Sequence, residues 1–262
     1  MVTEKNKERY SFSKLSSFHT CRYGYKLTYI DHQKGIGNCF SSYGCEVHSL
    51  MERYAKGEID LWDLPNVYEW EFDTAVPEPF PSSKFCKNMK ELYYEQGLEY
   101  LKNFSGYDDR KILEVEAKFD LDIDDWVFNG VIDLVYEDKE GRLVIQDYKS
   151  KSSFKSKKEQ AEYARQLYLY ALHVKEKYGK YPEVLQFSMF RKNTVIEIPF
   201  DENSLNEAVS WAKDTVREIR ECWDFAPNCD EFFSENLCNH REYCDCKGTK
   251  PPSVAKWKRA KN

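Results

Sequence analysis

The sequence of 262 residues contains no apolar run that approaches the roughly 20 residues needed to span a membrane. It also lacks an apolar leader behind its polar first residues, so we expect a cytosolic protein. Internal repeats are absent. Hydrophobic residues make up 41% of the chain, with 19 Tyr and 16 Phe among them. This composition predicts a globular protein with a substantial core and excludes a disordered chain.

An excess of positive charge is also missing. The chain has 39 Lys and Arg against 45 Asp and Glu, which gives a net charge of −6 and argues against binding phosphates by non-specific attraction alone. Basic residues nevertheless cluster in two places, between Lys149 and Lys158 and in a basic tail over 247–262. One groove lined with basic groups is enough for nucleic-acid binding. For the tail, a solvated segment is the simpler interpretation.

The stretch 130–149 organises the rest of the chain. Two β-branched, apolar runs flank a polar turn that ends at Gly141, which predicts a β-hairpin. Asp133 interrupts the first run, while Asp147 and Lys149 are two residues apart on the second and therefore share a face. Charged groups in apolar strands are costly to bury unless they are paired or bind a metal. The pattern therefore allows a structural ion pair, a strand end that reaches solvent, or a divalent cation beside a lysine.

Two segments before the hairpin carry further candidates. An i, i+3, i+4, i+7 apolar stripe predicts a helix over 42–56, with His48 at the edge of the stripe. Strict alternation over 112–121 predicts a strand, with Glu116 on its polar face. On their own, a histidine beside an apolar face and a glutamate on a solvated face are more often structural than functional.

After the hairpin, a long helix is predicted over 158–178, ending at Gly179. Gln166 and Tyr170 are one turn apart on that helix and face the same way. The remaining patterns predict a helix near the N-terminus capped by Ser11 or Ser13, a helix over 89–103, a hairpin over 184–200, a helix over 203–223, and an irregular insertion over 58–88.

Cysteine is abundant, with nine residues, five of them between Cys222 and Cys246. An odd number of cysteines in a chain without an export signal favours metal or cluster ligation over disulfides.

The succession of Gly-Val-Ile-Asp133, a hairpin, and Gln-Asp147-Tyr148-Lys149 resembles the core of the PD-(D/E)xK nucleases, in particular their RecB-like branch. The resemblance implies an α/β protein with a restriction-endonuclease-like core, in which helices flank a central mixed β-sheet. It also implies a DNA nuclease, most often an exonuclease, that depends on Mg²⁺ or Mn²⁺. Members of the branch act on DNA in phage recombination, in double-strand break processing and in CRISPR adaptation. The expected partners are therefore DNA and another protein of a recombination or CRISPR complex. The resemblance also allows the chain itself to be a phage protein that acts in the host cytoplasm.

Within this resemblance, each candidate residue has an implied role. The metal would be held by His48, Asp133, Asp147 and the main-chain carbonyl of Tyr148, with Glu116 next to the site. Lys149 would position the attacking water or stabilise charge in the transition state. The remaining two residues of the implied catalytic set, Gln166 and Tyr170, would support the metal site and the DNA backbone.

The resemblance also implies a 4Fe–4S cluster. Ser11, Ser13, Leu15, Phe18 and Cys21 fit the spacing of the helix that supplies the first ligand, although Arg22 stands where a proline often follows. Two further ligands would be Cys238 and Cys244. A cysteine expected at position 235 is replaced by Glu235, so the fourth ligand would be Cys229, Cys246 or absent. Instead of such a cluster, the chain could hold a site with three cysteines or a zinc site that uses His240, or it could have lost the cluster.

The expected organisation is a single nuclease domain over 1–262. The segments 11–30 and 222–246 would be joined by the cysteine cluster. A catalytically inactive nucleic-acid-binding subunit on the same fold is the alternative function, favoured by the acidic net charge and by Glu235. The presence together of Asp133, Asp147, Lys149 and Gln166 favours an enzyme.

Overall fold

The computed structural model describes residues 7–82, 86–229, 233–242 and 244. The chain divides into two compact units, one made of residues up to 38 together with residues from 210 onward, and the other of residues 39–209. In the described part of the chain, every helix is too short or too polar to cross a membrane.

The first unit begins with three short elements, β1 (Arg9–Tyr10), α1 (Phe12–Thr20) and α2 (Arg22–Tyr29). The predicted cap is confirmed at Ser11, whose Oγ accepts a hydrogen bond from the backbone N–H of Lys14 at 3.1 Å. Leu15 and Phe18 of α1 are fully buried. A π-helical turn, Phe233–Leu237, lies in the same unit.

The second unit contains five strands and most of the helices of the described residues. In chain order its elements are α3 (Cys39–Ala55), a 3-10 turn (Leu61–Asp63), α4 (Leu64–Ala75), α5 (Met89–Asn103), β2 (Arg110–Ile123), β3 (Trp126–Asp138), β4 (Leu143–Lys149), α6 (Lys157–Tyr178), β5 (Val184–Met189) and β6 (Thr194–Pro199). The last helix, α7 (Glu202–Glu221), begins in this unit and ends in the other.

The sheet of the second unit is mixed. Antiparallel pairs join β2 to β3, β3 to β4 and β5 to β6, whereas β4 and β5 are parallel and are connected through α6. A parallel pair needs such a crossover because its strands cannot be joined by a tight turn. The predicted α/β fold with helices around a mixed sheet is therefore confirmed.

Alternation along β4 divides its side chains between two faces of the sheet. Val144 and Tyr148 belong to a buried apolar cluster that also contains Val47 and Leu50 of α3 and residues of α4 and α5. The intervening side chains, those of Asp147 and its neighbours in register, point to the opposite face. The charged residues Asp133, Asp147 and Lys149 alternate with members of this cluster and are thereby on the opposite face.

The segment 58–88 was predicted to be irregular, and this is wrong for its first half, which forms α4. Pro65 lies in the first turn, where a missing N–H is harmless. Leu64, Tyr68 and Phe72 are the buried residues of α4, one per turn. The apolar stripe is hard to see in the sequence because Trp70 points outward and is 83% exposed. Residues 83–85 of this segment are outside the described part.

Candidate active site

The β3–β4 hairpin brings the charged residues of the central stretch together. Its turn is closed by Asp138, whose Oδ1 accepts hydrogen bonds from the backbone N–H groups of Glu140 and Arg142 at 3.1 and 2.8 Å. Gly141 has a φ of 78°, the left-handed conformation that the turn was predicted to need.

The register of the sheet places three carboxylates side by side. Leu134 pairs with Gln146 across β3 and β4, so Asp133 and Asp147 are the next residues on each strand and share a face. On the other side of β3, Val115 pairs with Leu134 and Ala117 with Ile132. Glu116, between them, has a φ of 50° and is close enough to Asp133 for that charge to raise its pKa.

Helix α3 adds His48 to this group. Its Nε2 lies 2.8 Å from the carbonyl oxygen of Tyr148, and because a carbonyl only accepts, Nε2 is the protonated nitrogen. Its Nδ1 lies 3.4 Å from Asp133 Oδ2, and the same carboxylate oxygen accepts the backbone N–H of Tyr148 at 2.8 Å. These three contacts join His48 of α3, Asp133 of β3 and the backbone of Tyr148 on β4.

Burial and neighbouring charges shift the pKa values of the residues in this group. Burial and then the neighbouring charge of Asp147 raise the pKa of Asp133 to about 8. Burial and then the charge of Asp133 raise the pKa of Glu116 to about 7, with a further contribution from Glu52. Burial lowers the pKa of His48. Each of these shifts disfavours the charged form of its group, and burial is the largest cause of each.

Lys149 connects the carboxylates to α6. Its Nζ lies 2.7 Å from Asp147 Oδ2 and donates a hydrogen bond to Gln166 Oε1 at 3.0 Å. Gln166 Nε2 in turn donates to Tyr170 Oη at 2.9 Å. Gln166 and Tyr170 thus lie on the same face of α6, as predicted, while their roles remain predictions. Asp147 is 3% exposed, and its Oδ2 accepts no hydrogen bond within the described structure beyond this ion pair.

Gly130 makes room for this chain of contacts. A Cβ atom at Gly130 would lie 2.7 Å from Cε1 of Tyr170 and 2.8 Å from two ring carbons of Phe119. Such distances are not tolerated, so the first residue of the Gly-Val-Ile-Asp pattern must be glycine for Tyr170 to reach Gln166.

Within the described ranges, no group of three or more His, Cys, Asp or Glu side chains has the geometry of a metal site. At the hairpin, Lys149 pairs with Asp147, and Nε2 of His48 donates to the carbonyl of Tyr148. The donor types nevertheless suit a hard divalent cation, which prefers carboxylate and carbonyl oxygens. A cation would also relieve the repulsion between Asp133 and Asp147, so these residues fit one by their chemistry.

Glu52 was not among the predicted site residues. It lies one turn after His48 on α3, and its charge raises the pKa values of both Asp133 and Glu116. The i, i+4 spacing from His48 is the signal in the sequence that could have identified it.

The predicted cysteine ligands that the structure describes lie in the first unit. Four of them are free and almost fully buried: Cys21, Cys229, Cys238 and Cys244. Burial, followed by the proximity of the other three, raises the pKa of the Cys229 thiol to about 12. Cys229 therefore lies near the three other thiols.

Polar groups of the first unit surround two of these thiols. The backbone N–H of Gly24 donates to Cys21 Sγ, and that of His240 donates to Cys238 Sγ, both at 3.4 Å. The His240 ring is turned to Thr28, with Nε2 2.8 Å from Oγ1. Glu235 is exposed, and Cys246 lies outside the described residues.

Comparison with known proteins gives a family. Residues 9–248 match the model of the PD-(D/E)XK nuclease superfamily. Among solved structures, the chain is similar to a proposed exonuclease from Eubacterium rectale, with 17% identity, a TM-score of 0.50, and coverage of 98% of this chain and 97% of that one. It is also similar to SSO0001, with 14% identity, a TM-score of 0.38, and coverage of 94% and 89%. No curated protein matches the sequence.

The superfamily that the hairpin pattern predicted is confirmed, while the RecB-like branch and the iron–sulfur subgroup remain predictions. At 17% identity the likeness to the first structure concerns the fold alone. The family model, in contrast, covers almost the whole sequence, including the hairpin and α6. The chain therefore belongs to the PD-(D/E)XK nuclease superfamily.

Proposed function

We propose that the protein is a DNA exonuclease of the RecB-like branch that uses Mg²⁺ or Mn²⁺ to hydrolyse phosphodiester bonds in recombination or repair. The observation that carries the proposal is the contact of His48 and Asp133 with the backbone of Tyr148, next to the ion pair of Asp147 with Lys149. Three separate elements contribute to this group, so the arrangement does not follow from local sequence alone.

The ligands would be His48, Asp133, Asp147 and the carbonyl oxygen of Tyr148. A divalent cation bound there would supply a water of lowered pKa and neutralise charge on the scissile phosphate. For that site to form, the ammonium group of Lys149 must move from Asp147 Oδ2, and the ring of His48 must release the Tyr148 carbonyl. Both are side-chain movements, one on β4 and one on α3.

Lys149 has a second partner that defines where it goes. Gln166 Oε1 accepts a hydrogen bond from its Nζ, and Tyr170 fixes the amide of Gln166. The ammonium group is thereby held at the edge of the carboxylates, where it can orient an attacking water and stabilise the charge that develops on the phosphate. Gln166 and Tyr170 act in this scheme as positioning residues.

Cleavage of labelled DNA tests the proposal. We expect the wild-type protein to degrade linear single-stranded or duplex DNA from an end when Mg²⁺ or Mn²⁺ is present, to leave closed circular DNA intact, and to be inactive in EDTA. Cleavage of circles would show an endonuclease. Binding of DNA without cleavage under any of these conditions would contradict the proposal and favour an inactive nucleic-acid-binding subunit.

We further propose that Cys21, Cys229, Cys238 and Cys244 hold a 4Fe–4S cluster, with Cys229 in place of the ligand missing at position 235. In support, the four thiols are buried together, and two of them already accept backbone N–H groups. Among the described residues these thiols are not in ligand geometry, so binding would draw the sulfur atoms together. Thiolates are the usual ligands of such clusters.

The Cys229→Ser protein should lose this cluster. After anaerobic purification we expect wild-type protein to be brown, with broad visible absorption and iron on metal analysis, and Cys229→Ser to lose most of both. Cys222→Ser is the matched control, because the Cys222 thiol contacts Asp224 and is not among the thiols that shift the pKa of Cys229. Iron retained in Cys229→Ser would exclude this ligand, and zinc in place of iron would exclude the cluster.

A further inference from the structure

A second lysine lies beside the candidate site. Lys151 follows Lys149 by two residues, just beyond the end of β4. Both ammonium groups lie near the ring of Tyr163 on α6, with Nζ of Lys149 at 5.7 Å and Nζ of Lys151 at 4.7 Å from its centre. The two ammonium groups are therefore within about 10 Å of each other. Phosphates of one DNA strand recur about every 3.4 Å along the helix axis, so the two lysines can contact neighbouring phosphates.

Lys151 is held by an internal anion. Its Nζ donates to Glu159 Oε1 at 2.8 Å and to Tyr163 Oη at 3.3 Å. Glu159 is itself fixed at the start of α6, because its side chain accepts the backbone N–H of Lys155 and its own N–H donates to Ser156 Oγ. The hydrogen bond from Lys151 lowers the pKa of Glu159, so the carboxylate is charged at neutral pH.

The ammonium group is nevertheless accessible. The side chain of Lys151 is 28% exposed, compared with 16% for Lys149. An ammonium that is partly open, close to the proposed catalytic lysine and neutralised by a carboxylate is in a position to exchange that carboxylate for a phosphate, since both are anionic oxygen acceptors.

We propose, on the basis of the proposed nuclease function, that Lys151 binds the DNA phosphate adjacent to the scissile one and that Glu159 competes with this phosphate for the ammonium group. Tyr163 aims Lys151 with its hydroxyl. In the free protein the ion pair keeps Lys151 ordered, and DNA displaces Glu159 when the strand enters.

The opposing interpretation is that Lys151 and Glu159 only stabilise the start of α6. The two interpretations predict different effects when Glu159 loses its charge. If the pair is structural, Glu159→Gln weakens the helix and leaves DNA binding unchanged. If Glu159 competes with phosphate, the same change strengthens DNA binding, but only when Lys151 is present.

Fluorescence anisotropy with a labelled single-stranded oligonucleotide in EDTA, at several salt concentrations, measures this without cleavage. We expect Lys151→Gln to weaken binding about 5-fold to 10-fold and to reduce the slope of log affinity against log salt by about 0.7. Lys151→Arg should keep the slope. In cleavage with Mg²⁺, Lys151→Gln should raise KM and leave kcat unchanged.

Glu159→Gln should strengthen binding about 3-fold, and the gain should disappear in the Lys151→Gln, Glu159→Gln double variant, because contacting groups are non-additive. Glu162→Gln removes the same charge from an exposed position nearby on α6 and controls for general electrostatics. Lys177→Gln, at the other end of α6 and paired with Glu114, controls for the loss of any lysine.

An unchanged affinity and slope in Lys151→Gln would overturn the proposal, as would a gain from Glu159→Gln that persists in the double variant. If Glu159→Gln does not fold, the DNA affinities and salt slopes of Lys151→Gln and Lys151→Arg decide whether Lys151 binds a phosphate. A protein that binds DNA through Lys151 but cleaves none would contradict the proposed nuclease function alone. A protein that cleaves DNA without regard to Lys151 would contradict only the role of Lys151.

Discussion

We expect Asp147→Ala to cleave DNA at least about 10³-fold more slowly than the wild type, the scale on which removal of a central electrostatic group reduces kcat. Asp147 is buried, and its Oδ2 lies 2.7 Å from the ammonium of Lys149 without a further hydrogen bond in the described structure. The ladder of backbone hydrogen bonds in the sheet does not depend on this side chain. The loss should appear in kcat, while the circular dichroism spectrum stays that of the wild type.

Lys149→Ala should be as inactive but should differ in cation binding. Because Lys149 pairs with Asp147 in the free protein, its removal frees that carboxylate and should leave or increase the affinity for Mn²⁺. Asp147→Ala should reduce the same affinity. Calorimetric titration with Mn²⁺ distinguishes the two variants, which a cleavage assay alone cannot do.

An exposed acid on the same sheet provides the control. Glu197 lies on β6, and Glu197→Ala should retain wild-type cleavage and wild-type Mn²⁺ affinity. Full activity in Asp147→Ala would remove the basis for assigning the site to this hairpin. Equal loss of Mn²⁺ affinity in both inactive variants would contradict the separate roles given to the carboxylate and the lysine.

Local patterns made much of the second unit predictable. The hairpin, the helix over 89–103 and the helix that ends at Gly179 all occur as predicted, because each has a clear period and a clear end. Gly179 has a φ of 74° and caps α6 in the left-handed conformation. Such signals depend on neighbours in sequence and can be recognised without knowledge of the fold.

Contacts between distant residues were predictable only through the resemblance. Nothing local to His48 indicates that its ring meets the carbonyl of Tyr148, 100 residues later. For Lys151 the resemblance gave no indication either, and the sequence showed it as one of several lysines in a basic segment. Its hydrogen bond to Tyr163 depends on the way α6 packs on the strand before it.

The cysteines show a different limit. Spacing alone could not choose between Cys229 and Cys246, because the chain between ligands can fold back in many ways. The structure puts Cys229 next to Cys21, more than 200 residues away in sequence. The sequence also failed to predict helix α4. Trp70 is an apolar residue on the exposed face of this helix, and it obscures the helical period of the apolar residues.

Asp133→Asn should stabilise the protein in EDTA while it abolishes cleavage. Burial and the charge of Asp147 raise the pKa of Asp133 to about 8, whereas an unfolded Asp titrates near about 4. The folded state therefore holds a proton that the unfolded state has lost, and the free energy of unfolding decreases as pH rises through this window. An amide removes that cost and can still accept the N–H of Tyr148 through its oxygen.

At pH 8 we expect Asp133→Asn to raise the free energy of unfolding by about 2 kcal/mol, which corresponds to about 4–8 °C in Tm. The advantage should shrink at pH 5, where keeping the folded wild-type carboxyl protonated costs less free energy. Addition of Mn²⁺ should raise the Tm of the wild type and have little effect on the variant. Glu207→Gln replaces an exposed carboxylate on α7 by an amide. It should change neither the Tm at pH 8 nor the rise in Tm on addition of Mn²⁺. If Asp133→Asn melts below the wild type at pH 8, repulsion among these carboxylates does not destabilise the free protein. The proposal of a cation at this site would then lose its electrostatic basis.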